Sequence, residues 1–92
     1  MHVNLYATLR PVAGVRTVEL ALGEGPTVRR VVAALIARHP RLEPMLVDAS
    51  GALHPYVHVF VNGRDAPRLA DGIETVLGPS DTIDIFPAVA GG

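Results

Sequence analysis

The 92-residue chain is long enough for one folded domain and too short for two. Hydrophobic residues make up 49% of it and charged residues 18%, which excludes an intrinsically disordered protein, and a net charge of −1 offers no basic field to nucleic acid. The absence of cysteine excludes disulfide scaffolds, thiolate metal sites and cysteine nucleophiles. No apolar run approaches the roughly 20 residues of a membrane span, and no basic leader precedes an apolar stretch, so we expect a cytoplasmic protein.

The first half of the chain predicts two strands followed by a helix. Alternating apolar residues predict a strand over residues 2–9, a turn over 10–15 and a second strand over 16–22. Thr27 stands at an N-cap position, and Pro40 is expected to stop the helix that begins there. The apolar stripe of this helix recurs at helical spacing: Val28, Val31, Val32, Leu35 and Ile36.

The second half predicts a hairpin and a final strand. The predicted elements are a short turn at 43–47, a strand at 56–61, a short return strand after Gly63, a helical turn within 69–77 and a strand at 82–86. Asn62 and Gly63 form a strong hairpin signal, because both tolerate the positive φ of a type I′ turn. The return strand must be short, since Pro67 cannot donate a hydrogen bond to a neighbouring strand.

These elements predict a two-layer α+β domain, because one helix can cover only one face of a sheet. We expect the first and last strands to be neighbours at the centre of the sheet. This arrangement is a β-grasp (ubiquitin-like) roll, with a mixed sheet of four to five strands and one main helix on one face. Residues 1–92 are predicted to form this single domain, with 87–92 as a flexible C-terminal tail.

The chain has four aromatic residues, and all of them have the strand phase opposite to the aliphatic core: Tyr6, Tyr56, Phe60 and Phe86. Because neighbouring strands lie about 4.8 Å apart, Tyr6, Phe60 and Phe86 are predicted to form one outward patch. His58 is expected to join them. Such a patch typically marks a protein interface, whereas scattered surface aromatics are the alternative interpretation.

The chain ends with Pro87, Ala88, Val89, Ala90, Gly91 and Gly92. Glycine has no Cβ, so a backbone ending in two glycines can pass through a narrow channel in a partner. The terminal carboxylate is ionised at neutral pH and is able to attack the α-phosphorus of ATP. A sulfur donor that displaces AMP then leaves a thiocarboxylate on Gly92. The alternative is an ordinary frayed terminus.

Three segments together resemble the ubiquitin-like sulfur-carrier proteins, which include the small subunit of molybdopterin synthase and the thiamine carrier. The segment Tyr6-Ala-Thr-Leu-Arg10, with Gly14 after it, is similar to the Phe-Ala-x-Leu-Arg motif and following glycine of the small subunits of molybdopterin synthase, here called the molybdopterin branch. The segment 53–62 and the ending from Pro87 to Gly92 resemble most the sulfur carrier of an alternative cysteine-biosynthesis route. Ala88 stands where the molybdopterin branch has a second proline.

The resemblance implies a protein cosubstrate and not an enzyme, with no bound cofactor. It implies an adenylating enzyme of the ubiquitin-activating type, which uses ATP and contacts the aromatics that match Tyr6 and Phe86. The cysteine branch implies two further partners, a pyridoxal-phosphate cysteine synthase and a zinc metalloprotease. The molybdopterin branch implies a different partner, the large subunit of molybdopterin synthase. In that case the chain would be an enzyme subunit.

Other functions stay open on the residues alone. Thiamine synthesis and transfer-RNA thiolation use carriers with similar tails, so the acceptor of the sulfur is undetermined. A ubiquitin-like binding module with an inert tail, or a modifier joined to lysines of other proteins, would have the same fold. All eight basic residues are arginine, so the chain has no lysine on which to build polymers of itself.

No catalytic or metal-binding residue is predicted. His54 and His58 are four residues apart, which on a strand separates them by about 13 Å, too far to share one metal ion. Asp81 lies in a loop and Asp84 at an outward strand position. Neither has an evident acid or base partner in the sequence, so we expect both carboxylates to be solvated.

Overall fold

The computed structural model describes residues 1–23, 25–66 and 69–87. Its elements in chain order are β1 His2–Leu5, α1 Leu9–Ala13, β2 Thr17–Glu19, α2 Val28–Arg38, α3 Glu43–Leu46, β3 His58–Val61, β4 Arg64–Asp65 and β5 Ile83–Phe86. Short 3₁₀ turns occupy Pro40–Leu42 and Gly72–Glu74. The short turn predicted at 43–47 is the helix α3, and the helical turn predicted within 69–77 is present as the second 3₁₀ turn.

Within the described ranges, the strands form one five-stranded mixed sheet in the order β2-β1-β5-β3-β4. The two strands β1 and β5 are parallel, with Val3 opposite Ile83 and Leu5 opposite Ile85. All other neighbouring pairs are antiparallel. The prediction that the first and last strands meet at the centre of a β-grasp sheet is confirmed. The first strand, β1, and the last strand, β5, therefore lie side by side in the sheet.

The helix α2 begins and ends as the sequence predicts. The hydroxyl oxygen of Thr27 accepts a hydrogen bond from the backbone N–H of Arg30 at 3.1 Å, which caps the first turn. Four residues of the predicted stripe are buried, and Ile36 is partly buried. They face the aliphatic side of the sheet: Val3, Leu5, Val18, Leu20, Val57, Val59, Val61, Ile83 and Ile85. This side of the sheet forms the core with α2, and the opposite side is left uncovered by that helix.

The prediction for residues 2–15 is wrong in part. The first strand ends at Leu5, and residues predicted as strand end and turn instead form α1. Ala7 continues the apolar alternation of Val3 and Leu5 in the sequence, but it is exposed and has a φ of +51°, which turns the chain out of the sheet. Leu9 is buried as predicted, but from a helix, because the spacing from Leu5 to Leu9 fits a helical turn as well as an alternating strand. Pro11 is tolerated in the first turn of α1, where its missing N–H needs no partner.

The hairpin between β3 and β4 has the predicted turn. Asn62 and Gly63 have φ values of +52° and +83°, both in the left-handed region that a type I′ turn requires. The return strand has two residues, and Pro67 lies outside the described residues. Strand β3 begins at His58, later than predicted, since Tyr56 lies in a turn. None of the helices in the described ranges is long and apolar enough to cross a membrane.

Candidate functional site

The face of the sheet opposite α2 carries a cluster of ring side chains, here called the aromatic face: Tyr6, His58, Phe60 and Phe86. The rings of Tyr6 and Phe86 are stacked, with centroids 4.2 Å apart and an interplanar angle of 9°. Phe60 contacts Phe86 edge-on at 5.6 Å and stacks on His58 at 5.9 Å. The prediction that these four side chains come together is confirmed in their geometry.

Sheet register places these rings side by side. His58 on β3 lies opposite Phe86 on β5, so their side chains point to the same side of the sheet. Tyr6 follows β1 directly and donates its backbone N–H to the carbonyl of Ile85 at 3.2 Å, which keeps it beside Phe86. The side chain of His58 is 51% exposed and Phe86 is 36% exposed. The aromatic face is therefore an open surface and not a second core.

Tyr56, the fourth aromatic residue, is separate from these ring contacts. It is 66% exposed and precedes β3. It lies at the rim of a shallow groove with residues from three segments of the chain: Pro44, Met45, His54, Pro55 and Pro87. The strand phase of Tyr56 in the sequence thus predicts its exposure but not its neighbours.

The expectation that Asp84 is simply solvated is wrong. Its Oδ1 accepts hydrogen bonds from Asn4 Nδ2 at 2.9 Å and from the hydroxyl of Tyr6 at 3.1 Å. Asn4 lies directly opposite Asp84 in the parallel pair of strands, so the register brings together residues 80 positions apart. Thr17 on the edge strand in turn donates to Asn4 Oδ1 at 3.0 Å. Hydrogen bonds between side chains therefore connect three neighbouring strands, from Thr17 through Asn4 to Asp84, and the last of these bonds is to the Tyr6 hydroxyl.

Tyr6 is also in contact with Arg10, and its ionisation is affected by both neighbours. The hydrogen bond to Asp84 raises the pKa of the Tyr6 phenol, together with partial desolvation and the charge of Asp84, while the Arg10 guanidinium opposes the shift. The guanidinium carbon lies 5.1 Å from the centre of the Tyr6 ring. Arg10 Nε donates to the carbonyl oxygen of Leu5 at 2.7 Å, which fixes the arginine beside the ring.

Asp65 adds a carboxylate at the border of the aromatic face. Its Oδ2 is 3.7 Å from His58 Nδ1, a separation at which protonated histidine forms an ion pair. Phe60 lies directly opposite Asp65 in the β3–β4 hairpin. The face is thus apolar at its centre and carries ionisable groups at its edges, as protein interfaces commonly do. Nothing in the strand pattern indicated Asp65, because its position depends on the hairpin register.

Asp81 is likewise hydrogen-bonded, contrary to the expectation of a solvated carboxylate. It accepts from Asn62 Nδ2 at 3.0 Å and from the backbone N–H of Gly78 at 2.7 Å. The bond from Asn62, followed by the bond from Gly78, lowers the pKa of Asp81. These bonds tie the loop before β5 to the hairpin. Among the described residues, no three His, Asp or Glu side chains converge on a possible metal position.

The chain leaves the sheet at the aromatic face. Phe86 is the last residue of β5, and Pro87, the first residue of the predicted tail, is buried. The other predicted tail residues lie outside the described residues: Ala88, Val89, Ala90, Gly91 and Gly92. The described part therefore shows where the tail begins, immediately after a ring of the aromatic face.

Two curated relatives match nearly the full chain. It is 34% identical over 92 residues to small archaeal modifier protein 3 of Haloferax volcanii, a match that covers 100% of this chain and 98% of the relative. It is 35% identical over 92 residues to the sulfur carrier protein CysO of Mycobacterium tuberculosis, which covers 98% of this chain and 96% of the relative. These relatives are named as carrier or modifier proteins and not as enzymes, in agreement with the prediction of a cosubstrate.

Solved structures show the same fold. The crystal structure of SAMP1 from Haloferax volcanii superposes with a TM-score of 0.87 at 32% identity, covering 99% of this chain and 97% of that one. A chain in the crystal structure of the Amycolatopsis orientalis BexX/CysO complex matches with a TM-score of 0.78 at 35% identity, covering 99% of this chain and 98% of that one. The model of the ThiS family matches residues 3–92. The chain therefore belongs to the ThiS family, among the small ubiquitin-like sulfur carriers with a β-grasp fold.

Proposed function

We propose that this chain carries sulfur as a thiocarboxylate on Gly92 and donates it in cysteine biosynthesis, in the cytoplasm. The observation that carries this proposal is the position of the aromatic face, whose ring of Phe86 is followed directly by the tail. A partner that docks on this face is within reach of the chain terminus. Five residues separate Phe86 from Gly92, so the tail reaches at most about 20 Å beyond the sheet when extended.

The activation step makes the terminal carboxylate reactive. One carboxylate oxygen of Gly92 attacks the α-phosphorus of ATP, and pyrophosphate leaves, which gives an acyl-adenylate. A hydrosulfide ion then attacks the carbonyl carbon, and AMP leaves with the original carboxylate oxygen. The product is a thiocarboxylate, in which one oxygen has been replaced by sulfur. The chain supplies no catalytic group to these steps, and ATP is bound by the adenylating enzyme.

The roles of individual residues follow from this scheme. Tyr6, His58, Phe60 and Phe86 form the docking face for the adenylating enzyme, a partner of the ubiquitin-activating type. Its exposed rings are the kind of side chain that dominates interface energetics. The tail is proposed to thread into the active site of the enzyme. The residues of the tail that precede Gly92 are Pro87, Ala88, Val89, Ala90 and Gly91. The small residues at its end permit the threading, because a glycine backbone fits where a side chain would collide.

The acceptor is proposed from the relatives and the tail sequence. A relative named sulfur carrier protein CysO matches almost all of this chain. The ending from Pro87 to Gly92 resembles that of the cysteine-biosynthesis carrier. We therefore propose a pyridoxal-phosphate cysteine synthase as acceptor and a zinc metalloprotease that releases cysteine from Gly92. The small subunit of molybdopterin synthase, and carriers for thiamine or transfer-RNA thiolation, are the alternatives within the same chemistry.

A second candidate function is protein modification. A relative is named small archaeal modifier protein, and the same acyl-adenylate of Gly92 is able to acylate a lysine of a target protein. Because the chain itself has no lysine, such modification would place single copies on targets and would not build side-chain-linked polymers. A modifier and a carrier differ in the nucleophile that attacks the acyl-adenylate, which is a lysine amine for the modifier and sulfide for the carrier. They do not differ in fold.

The test of the carrier function is the intact mass of the chain after incubation with an adenylating enzyme, ATP and a sulfide source. We expect a mass gain equal to the exchange of one oxygen for sulfur, localised to Gly92 by fragmentation. An unchanged mass, with an enzyme shown to be active on its own carrier, would contradict the proposal. Adding O-phosphoserine and a cysteine synthase then tests the acceptor, since Gly92 should gain cysteine in place of the sulfur.

A further inference from the structure

We propose that Asp84 is a positioning residue, which holds the Tyr6 ring in the orientation that stacks on Phe86 before any partner arrives. The proposal rests on the proposed function insofar as the aromatic face docks an adenylating enzyme. Asp84 acts through Tyr6 and is not itself a contact that recognises the enzyme. This role goes beyond the presence of aromatic residues on the face, since it concerns what fixes their arrangement.

The hydrogen bonds at Asp84 have the direction that such a role requires. Asp84 Oδ1 accepts from the Tyr6 hydroxyl at 3.1 Å and from Asn4 Nδ2 at 2.9 Å. Asn4 is held in its turn, because Thr17 donates to its Oδ1 at 3.0 Å. The acceptor is therefore anchored on the central strand and supported from two further strands. A carboxylate fixed in this way defines the position of the phenol oxygen.

The other contacts of Tyr6 hold the ring but leave its polar end free. Phe86 stacks on it at 4.2 Å, and the Arg10 guanidinium lies 5.1 Å from its centre. Ala7, in the left-handed region at φ +51°, turns the chain away directly after Tyr6. Stacking alone lets a ring shift within its plane, because stacking interactions depend only weakly on orientation. The hydrogen bond to Asp84 fixes the position of the Tyr6 hydroxyl and so the orientation of the ring.

Fixing the ring in the free protein should strengthen docking. An aromatic side chain that must be ordered on binding loses conformational entropy, and a side chain that is ordered beforehand does not. For one side chain of this kind the difference amounts to roughly a fivefold change in affinity. Asp84 is expected to contribute an effect of this size through Tyr6.

Three substitutions separate this role from a direct or purely electrostatic one. Asp84→Ala removes the acceptor, whereas Asp84→Asn retains an oxygen acceptor and removes the charge. Tyr6→Phe removes the hydroxyl donor and retains the ring. Asp71→Ala is the matched control for loss of one negative charge, since Asp71 is exposed and its side chain does not cap the 3₁₀ turn that follows it.

The first readout is affinity for a purified adenylating enzyme that converts the wild-type chain. We expect Asp84→Ala to weaken binding about fivefold, and Asp84→Asn and Asp71→Ala to stay within twofold of the wild type. In a Tyr6→Phe background, Asp84→Ala should have no further effect, because its contribution passes through the hydroxyl. An equal loss in both backgrounds would overturn the positioning role and show a direct contact of Asp84.

The second readout needs no enzyme. In a Tyr56→Phe background Tyr6 is the one tyrosine of the chain, so its phenol can be titrated by absorbance. Because the bond and the charge of Asp84 raise the pKa of Tyr6, Asp84→Ala should lower that pKa. A merely structural effect of the substitution on folding would appear in thermal unfolding and leave the phenol titration unchanged. An unchanged titration would overturn the proposal.

Failure of this proposal is distinct from failure of the docking face. Phe86→Asp, measured beside Asp84→Ala, tests the face itself. Weak binding of Phe86→Asp with wild-type binding of Asp84→Ala would retain the face and overturn the role of Asp84. Wild-type binding of Phe86→Asp would show that the enzyme docks elsewhere, and the proposed docking face would then be wrong together with any role of Asp84 in it.

Discussion

Tyr6 and Phe86 are stacked with their ring centroids 4.2 Å apart and their planes only 9° from parallel, although they lie near opposite ends of the chain. The contact exists because β1 and β5 are parallel neighbours at the centre of the sheet. It joins the sequence motif that begins at Tyr6 to the residue from which the tail departs. The aromatic face thereby includes Phe86, the residue directly before Pro87, and this adjacency is the structural basis of the predictions on binding below.

Phe86→Asp should weaken binding to the adenylating enzyme by about 30-fold, equivalent to roughly 2 kcal/mol at an interface hot spot, because it places a carboxylate within the aromatic face. Binding is measured by calorimetry or by adenylation at limiting carrier. Val76→Asp is the matched control, since Val76 is an apolar residue that is 66% exposed and is not part of that face. Equal affinities of the two variants would remove Phe86 from the interface.

Deletion of Gly92 should abolish formation of the acyl-adenylate, because the new terminal carboxylate on Gly91 falls about 3.5 Å short of the original position. Release of pyrophosphate from ATP measures this step. The midpoint of thermal unfolding should stay unchanged, since the last buried hydrophobic side chain among the described residues belongs to Ile85, well before Gly92 in the sequence. Adenylation at the wild-type rate would contradict the proposed chemistry at Gly92.

Gly63→Ala should lower the free energy of unfolding by about 1 kcal/mol, because Gly63 has a φ of +83° that an alanine adopts only with strain. Beyond Gly63 and its two chain neighbours, no heavy atom of the described residues lies within 4 Å of the position that the new Cβ would take, so we assign the loss to the backbone conformation. Gly78→Ala is the matched control: its φ is not in the left-handed region, and its Cβ would meet Asp81 Oδ2 at an ordinary 3.8 Å. Urea denaturation should show no loss for this control, and an equal loss in both variants would refute the explanation.

Asp81→Asn should make stability less dependent on pH in the acid range. The bonds from Asn62 and Gly78 lower the pKa of Asp81 below its ordinary value of 3.8. A group whose pKa is lower in the folded state contributes stability that is complete above the unfolded pKa and is lost as the pH falls through the folded pKa. The variant lacks this titration, so its free energy of unfolding should fall less between about pH 6 and pH 2.5.

The control for this pH dependence is Asp71→Asn, which removes an exposed aspartate whose side chain does not cap its helical turn. Its curve of unfolding free energy against pH should run parallel to that of the wild type. The effect at Asp81 should be modest, because solvent screens a carboxylate near the surface. A wild-type slope in Asp81→Asn would show that its hydrogen bonds do not contribute to acid stability.

Much of the fold is determined by local sequence. The stripe of α2 and its Thr27 cap specify the helix, and Asn62 with Gly63 specifies the hairpin turn, because each signal acts within a few residues. Strand phase alone separates the aliphatic core from the aromatic residues, since side chains alternate along any strand. The tail is likewise identified from the sequence, by its ending in two glycines, although its residues after Pro87 lie outside the described ranges.

Other features depend on tertiary structure. Leu5 and Leu9 have a spacing that suits a strand and a helix equally, and only packing against the core, with the left-handed turn at Ala7, selects the helix. Asp84 has no partner in its own strand, so the sequence alone predicts a solvated carboxylate. The parallel register of β1 and β5 places Asn4 and Tyr6 beside it. Alternation determines which residues face outward, but the alignment of strands distant in sequence decides which of them meet.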